Sequence, residues 1–216
     1  MYLRIELLSD TAFGRGDGVM GIVDSEIEYD KTNGLPIIKG RTLKGLFVEA
    51  CADVLYGLKV CQSSAYATFN DIAQTLFGSP GSDLISTGVL HFGTATLPAD
   101  FIVKVEQANH NPADVLEAFT IIRRQTAIDE TTDAPKDTSL RALRVVSRGT
   151  IFYSHLSHPS LTEIEIALLW ACTNTTRQAG QNRTRGLGRI QIELLYDNNQ
   201  PVMGDKFSQL VKGVSA

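Results

Sequence analysis

Strict alternation of apolar and polar residues at both ends of the chain is the feature that most limits its possible folds. Leu3, Ile5 and Leu7 alternate with polar residues near the N-terminus, and the same period returns over residues 190–196. A period of two places one set of side chains on each face of a strand. Each end of the chain is therefore predicted to be a half-buried β-strand.

Helical and strand patterns alternate between these two ends. Helices are predicted over 42–58 and 70–77, after the N-cap pair Asn111-Pro112, and after a capping box of Ser160 and Glu163. Further strands are predicted over 89–96 and within 142–156. The stretch 125–139, rich in Thr and Asp, is typical of a projecting loop or hairpin. The order predicts an α+β sandwich of ferredoxin type, with a sheet on one side and two main helices on the other.

Composition excludes several classes of protein. The hydrophobic content of 43% and the charged content of 20% are ordinary for a globular chain with one sizeable core. No run approaches the length of apolar sequence needed for a transmembrane helix, so no membrane association is expected. The three cysteines, Cys51, Cys61 and Cys172, show no metal-ligand spacing. They are predicted to be buried free thiols in a reducing cytoplasm.

The cations are clustered although the chain is acidic overall. Its net charge of −4 taken alone argues against nucleic acid, because nucleic-acid-binding domains are usually basic. Yet 13 of the 20 Lys and Arg residues fall within three stretches, 39–44, 123–148 and 177–189. Solvated surface charge would explain any one cluster, whereas three clusters beside glycines or hydroxyl residues favour anion binding.

Two of these stretches have the composition of phosphate-binding loops. In residues 182–189, NRTRGLGR, glycines allow close approach of backbone amides and the arginines supply charge. This segment precedes a strand and lacks the Lys-Ser/Thr ending of a nucleotide P-loop; a tight turn with exposed arginines is the alternative. In residues 38–45, IKGRTLKG, cations stand where a helix begins and its amides are unpaired, although capping by Thr42 explains the pattern nearly as well.

An acidic segment over residues 24–30, DSEIEYD, offers carboxylates for Mg²⁺ or for proton transfer. Alternating acidic and apolar residues also describe an exposed strand edge. The residues alone leave both interpretations open.

Four segments of the chain occur in a particular order. They are 21–30 (GIVDSEIEYD), 34–45 (GLPIIKGRTLKG), 124–132 (RQTAIDETT) continuing to Leu140 and Arg141, and 185–189 (RGLGR). This order resembles the RAMP superfamily of CRISPR-associated proteins, in particular the small subunits of type III and type III-D-like complexes. The chain departs from the family's usual pattern at Lys39 and Thr42, which replace a proline and a serine.

The resemblance implies a fold, a function and partners. The fold would be one RNA-recognition-motif-like, ferredoxin-like domain over 1–216, with a thumb β-hairpin insertion at about 123–146. The segment 182–189 would be its C-terminal glycine-rich loop. The chain would be a guide-RNA-binding subunit of an RNA-targeting effector complex in antiviral defence. Its partners would be guide CRISPR RNA, single-stranded target RNA and other RAMP subunits. The expected RNA-binding residues are Lys39, Arg41, Thr42, Lys44, Arg123, Arg124, Thr126, Arg141, Arg183, Arg185, Gly186, Gly188 and Arg189.

The resemblance also assigns a role to Asp24. Backbone subunits of the family cut target RNA with one aspartate, six residues ahead of a second one, and Asp24 with Asp30 reproduces this spacing. Asp24 is thus the expected catalytic residue and Mg²⁺ ligand of an endoribonuclease that would act only within the complex. Asp30, beside Gly34, suits a turn-stabilising role.

Several alternatives stay open. The chain would equally suit a non-catalytic capping subunit that anchors the 5′ end of the guide RNA in the same complex. A repeat-processing endonuclease is disfavoured, because such enzymes commonly use a histidine near the start of the chain and the first here is His91. A free-standing hydrolase with Asp24 and Glu26 as metal ligands is the candidate from another class.

The clustered cations predict how the isolated chain should bind RNA. Single-stranded RNA should bind without sequence preference, because backbone contacts carry no base information. With roughly four to six phosphates neutralised, log affinity against log salt should have a slope of about −0.7 per phosphate. Filter binding over a salt series measures this slope, and a flat salt response would contradict an electrostatic groove.

Overall fold

A four-stranded antiparallel sheet with helices packed against its buried face forms the centre of the structure. The computed structural model describes residues 1–79, 88–126, 128, 139–158 and 160–212. Its strands are β1 (Tyr2–Leu7), β2 (His91–Phe92), β3 (Thr120–Gln125), β4 (Arg141–Val146), β5 (Ile151–Ser157) and β6 (Ile190–Leu195). Its helices are α1 (Gly40–Val60), α2 (Ala65–Phe77), α3 (Ala99–Ala108), α4 (Pro112–Phe119), α5 (Glu163–Thr175) and α6 (Asp205–Lys212).

The order of the strands confirms the predicted ferredoxin-like fold. The sheet runs β2-β5-β1-β6, and every pairing is antiparallel. At its centre, Ile5 lies opposite Phe152 on one side and Ile192 on the other. One helix-containing connection leads from β1 to β2 and another from β5 to β6, which is the arrangement that places the first and last strands side by side.

The core lies between the sheet and the helices α1 and α5. Leu3, Ile5 and Leu7 are at most 1% exposed, which confirms the buried face predicted from their alternation. Phe47 of α1 and Leu168 of α5 are fully buried against the same cluster. Burial of such apolar side chains is the main favourable term that holds the two layers together.

A hairpin of β3 and β4 is present where the insertion was predicted. It follows α3 and α4 between β2 and β5, and its register pairs Arg123 with Leu143 and Gln125 with Arg141. The connection between these strands falls at 127 and 129–138, outside the described residues. A second, smaller apolar cluster of Ala12, Leu143, Val145 and Leu187 packs one face of the hairpin against the glycine-rich loop.

The strand predicted over 89–96 is much shorter in the structure. Only His91 and Phe92 form a strand, and Gly93 then bonds through its N–H to His155. The start of α1 passes so close that a Cβ on Gly40 would lie 2.0 Å from the carbonyl oxygen of Phe92. The ladder is interrupted because the chain must accommodate the first turn of α1.

The helix starts were predicted with mixed success. Asn111 is the N-cap of α4 and accepts a hydrogen bond from the N–H of Ala113, as expected. The capping box of α5 was predicted two residues too early, since Thr162 and Glu165 form it. Both Leu161 and Ile166 pack on the core beside this cap, which is the apolar flanking expected at a helix start.

A buried ion pair attaches the acidic segment to the hairpin. The Nε of Arg144 lies 2.9 Å from a carboxylate oxygen of Glu26, and the two side chains are 9% and 2% exposed. The same guanidinium donates to the hydroxyl of Thr120 at 3.1 Å. Arg144 therefore belongs to the interior, although it lies in one of the three basic stretches.

Breaking this pair should destabilise the fold strongly. Glu26→Gln leaves a buried guanidinium uncompensated, so we expect a loss of about 3 kcal/mol in the free energy of unfolding. Glu163→Gln is a matched control, because its ion pair with Lys206 is exposed and should contribute less than about 1 kcal/mol. Urea denaturation measures both values, and equal losses would show that the buried pair has no special role.

Candidate nucleic-acid interface

The segment that carries Asp24 lies along the edge of the hairpin. The N–H of Asp24 donates to the carbonyl of Ala142 at 2.8 Å. The Oδ2 of Asp24 in turn accepts the N–H of Ala142 at 2.6 Å. Ser25 continues the contact as a parallel bridge to Leu143. The exposed Asp24 carboxylate is therefore held in place by backbone bonds to β4.

A cleft of about 470 Å³ brings three distant parts of the sequence together. We name it the Asp24 cleft. Its lining comes from the acidic segment, from both hairpin strands and from the glycine-rich loop, and consists of Asp24, Ser25, Gln125, Leu140, Arg141, Ala142, Leu143, Gln181, Asn182 and Arg185. The expected catalytic residue and two of the expected RNA-binding arginines thus share one surface.

The glycine-rich loop owes its shape to backbone conformations that favour glycine. Gly186 and Gly188 have φ of 79° and 81°, and Asn182 has φ of 56°. A Cβ on Gly188 would lie 2.1 Å from the carbonyl oxygen of Ala179. Leu187 is buried between these glycines, so the loop is anchored at its centre while Arg185 extends to the surface.

The three arginines of this loop face different neighbours. Arg185 donates to the Oε1 of Gln125 on the hairpin at 3.2 Å. Arg183 instead pairs with Glu49 of α1 at 3.1 Å and donates to the carbonyl of Gly180. Arg189 lines a separate cleft between α5 and β6. The structure therefore places Arg185 in the Asp24 cleft and the other two outside it.

The hairpin arginines are also divided between two faces. Neighbouring residues of a strand point to opposite sides, so Arg123 and Arg124 cannot line one surface. The register places Arg141 on the same face as Arg123, toward the glycine-rich loop. Arg124 is exposed on the other face, and Thr126 is exposed beyond the end of β3.

Arg123 is bound to an aspartate at the base of the hairpin. Its guanidinium donates to the Oδ2 of Asp10, whose Oδ1 accepts the N–H of Arg148 at 3.1 Å. Burial raises the pKa of Asp10, but the hydrogen bonds and charges of Arg123 and Arg148 outweigh burial and hold this pKa below its usual value. Asp10 is therefore ionised at neutral pH and fixes the base of the hairpin.

A second cleft of about 620 Å³ lies beside this aspartate, on the other side of Arg185. Its lining includes Arg123, Arg148 and Arg185. Arg148 was not among the expected site residues. Its position just after β4, in the same basic stretch as Arg123, was the available signal in the sequence.

The start of α1 does not line the Asp24 cleft. Lys39 and Arg41 both approach Glu28, at 2.6 and 3.5 Å. Thr42 and Lys44 are partly buried in the first turns of the helix. The N-cap is Lys39, with no capping bond from a side chain, so the alternative that Thr42 caps the helix is wrong. The structure therefore places all four residues outside the Asp24 cleft.

The two other carboxylates singled out in the acidic segment have structural roles. The Oδ1 of Asp30 accepts the N–H and the hydroxyl of Thr32, at 2.9 and 2.6 Å, which confirms the turn-stabilising role. Glu26 is committed to Arg144. The hydrolase alternative loses its second ligand, because a buried, paired carboxylate is not available to a metal.

Three further features of the described residues bear on function. No helix among the described residues is long and apolar enough to cross a membrane. Within the described ranges, no group of three or more His, Cys, Asp or Glu side chains could hold a metal ion. Cys51 and Cys172 are buried as expected, but Cys61 is exposed because it follows the last turn of α1.

Comparisons with solved structures agree with the fold described above. No curated protein matches the chain. One similar solved structure is described as "Type III-B Cmr-beta Cryo-EM structure of the Apo state", with a TM-score of 0.64, 14% identity, and coverage of 91% of this chain and 97% of that chain. Another is described as "Type IV-B CRISPR Complex", with a TM-score of 0.60, 13% identity and coverage of 97% of both chains.

These two structural similarities concern the fold alone. A match to a family model concerns the amino-acid sequence. The RAMP superfamily model matches residues 4–191, which is most of the chain. That match includes all four segments on which the resemblance was based. The chain therefore belongs to the RAMP superfamily.

Proposed function

We propose that this chain is a guide-RNA-binding subunit of a type III-like, RNA-targeting CRISPR effector complex. The observation that carries the proposal is the Asp24 cleft, where the acidic segment, the hairpin and the glycine-rich loop meet. Membership of the RAMP superfamily and a fold shared with chains of type III-B and type IV-B complexes support it. The partners are guide RNA, single-stranded target RNA and other RAMP subunits.

The distribution of ion pairs makes this face cationic although the chain is acidic. Arg183 and Arg144 are each paired with a glutamate, and Arg123 is paired with an aspartate. Arg141 and Arg185 are exposed and make no ion pair with any described residue. Their charges are available for phosphates, and planar guanidinium groups suit phosphate oxygens in two-point contacts.

The cleft has the chemistry to hold RNA without reading its sequence. Gln125 and Asn182 add polar groups beside the two arginines, and hydrogen bonds to phosphate and sugar fix the position of a strand, not its sequence. In guide-directed complexes base pairing reads the target, so the protein only needs to grip the backbones. The proposed role therefore requires no base-specific contact.

Asp24 is proposed to support cleavage of the target. The ribose 2′-oxygen would attack the adjacent phosphorus and the bond from phosphorus to the 5′-oxygen would break. The 5′-oxygen would take a proton from solvent water, which leaves a cyclic phosphate and a 5′-hydroxyl. The Oδ2 of Asp24 is bonded to Ala142, which leaves Oδ1 to accept the proton of the 2′-hydroxyl. Arg141 and Arg185 would stabilise the charge that develops on the phosphate oxygens.

The donor set is compatible with a magnesium ion held jointly with RNA. Mg²⁺ is often bound through one or two carboxylates together with substrate phosphates, and Asp24 is the only carboxylate among the described residues that line the cleft. As the alternative to acting as the base, Asp24 would hold the ion through Oδ1, and the ion would supply additional positive charge at the scissile phosphate when bound.

The non-catalytic capping subunit is the second candidate. It is favoured by the same short bond between Asp24 and Ala142, because this bond alone would explain why an aspartate stands here. In that case the cleft would anchor the 5′ end of the guide RNA without cutting, and the protein contacts to RNA would be unchanged.

Arg141 and Arg185, which pair with no carboxylate in the described part of the chain, should dominate RNA binding at this face. Arg141→Ala with Arg185→Ala should weaken binding to all single-stranded RNAs alike and reduce the salt slope by about 1.4, since each lost phosphate contact removes about 0.7. Fluorescence anisotropy over a salt series measures both effects. Lys59→Ala, an exposed cation at the far end of α1, is the control and should leave both unchanged. An unchanged slope in the double variant would remove this cleft from the RNA-binding surface.

Substitution of Asp24 separates the two candidates. Asp24→Asn keeps an oxygen for the Ala142 amide but removes the base, so it should abolish cutting of guide-matched RNA in the assembled complex. Guide and target binding should persist, because no phosphate contact is lost. Asp30→Asn, in a turn away from the cleft, should cut at the normal rate. Gel analysis of labelled target measures cleavage, and equal cutting by wild type and Asp24→Asn would favour the capping role.

A further inference from the structure

A second site lies on the opposite side of the glycine-rich loop, at the edge strand β6. A cleft of about 480 Å³ separates the middle of β6 from the C-terminal half of α5. We name it the β6-edge cleft. Its lining includes Trp170, Asn174 and Arg177 on the helix side and Arg189 at the start of the strand.

The edge of β6 is covered at both ends and open in the middle. The N–H of Ile190 donates to Arg177 at 3.1 Å, and the carbonyl of Leu194 accepts from Val202 at 2.8 Å. These groups point away from β1. Because the direction alternates along a strand, the N–H and C=O of Ile192 point the same way. Within the described residues, no backbone group covers them on that side.

The length of the uncovered part of the β6 edge determines which ligand can bind there. The open stretch, residues 191–193, is about 10 Å long at 3.4 Å per residue. Bridges from Gln178 to Arg189 and from Leu195 to Pro201 occupy the same edge at its two ends. An extended peptide would have to continue past both bridges and would collide with them. A compact, planar group can enter from the side.

The polar groups of the cleft match a nucleotide. One N–H donor beside one C=O acceptor complements the donor and acceptor edge of an unstacked nucleobase, and arginine planes and aromatic rings stack on such bases. Arg177 and Arg189 are both exposed and bring two positive charges. Among the described residues that line this cleft, Glu193 is the only carboxylate, and it is already paired with Arg4 at 3.2 Å. Net positive charge favours an anionic ligand.

We propose that the β6-edge cleft binds one ribonucleotide, with its base on the main chain of Ile192 and its phosphate on Arg177 and Arg189. The source of the nucleotide is either RNA held at the neighbouring Asp24 cleft or a free mononucleotide. For the first source the inference rests on the proposed function, because the glycine-rich loop carries Arg185 to one cleft and Arg189 to the other.

Amide NMR of protein labelled with ¹⁵N-isoleucine tests the site directly. Titration with AMP, GMP, CMP and UMP, each in turn, should shift the Ile192 resonance at millimolar concentration. Arg177→Ala should weaken the interaction by about tenfold, because it removes a charge-assisted contact with the phosphate. Lys59→Ala should leave it unchanged. Asn174→Trp, which fills the cleft from an exposed position, should abolish the shift.

A second titration, with single-stranded oligoribonucleotide, separates the two sources. A shift of Ile192 with both probes supports a nucleotide of bound RNA, and a shift with mononucleotides alone supports a free nucleotide. No shift of Ile192 with any mononucleotide overturns the inference. If the oligoribonucleotide still binds in that case and Arg185→Ala weakens it, the proposed function stands and only the second site is lost.

Discussion

The buried pair of Glu26 and Arg144 is the interaction on which the geometry of the candidate site depends. Glu26 lies two residues after Asp24, and the N–H of Arg144 also donates to the carbonyl of Ser25 at 3.1 Å. The guanidinium continues to Thr120, whose hydroxyl bonds to the end of α4. A single charge pair therefore connects the acidic segment, both hairpin strands and the preceding helix. Since either charge left alone would be costly to bury, the acidic segment has one favourable position against the hairpin.

The other ion pairs divide the arginines into two groups with different roles. Glu49 holds Arg183, and Asp10 holds Arg123, so these cations position the loop and the base of the hairpin. Arg141 and Arg185 are left at the surface of the Asp24 cleft. An acidic chain can present a cationic face in this way, because the distribution of unpaired charges, and not their sum, sets the local potential.

Much of the fold could be predicted from sequence periodicity. Alternation near Leu3 and near Ile192 predicted β1 and β6, helical spacing predicted α1, and a capping box predicted α5. Register could not be predicted in this way. Arg141 and Arg144 look alike in the sequence, yet one reaches the cleft and the other the interior, because they fall on opposite faces of β4. The short β2 depended on the close approach of Gly40 to Phe92, a tertiary contact without a local signal.

The candidate site was predictable in its parts but not in its assembly. Asp24 and Arg185 were expected as site residues, and the structure places both in one cleft. Lys39 and Arg189 were expected in the same groove but lie elsewhere, because Lys39 pairs with Glu28 at the start of α1 and Arg189 lines the cleft between α5 and β6. Arg148 was missed, since its role follows only from the fold that returns it to Asp10 and Arg185.

Cross-linking of bound RNA tests most directly whether the three segments form one RNA surface. Oligoribonucleotides containing 4-thiouridine would be irradiated with the protein, and the cross-linked peptides identified by mass spectrometry. The account predicts cross-links from the acidic segment around Ser25, from the hairpin around Arg141 and from the glycine-rich loop around Arg185. Cross-links confined to the exposed sides of α2 and α3, with none in these three segments, would contradict it.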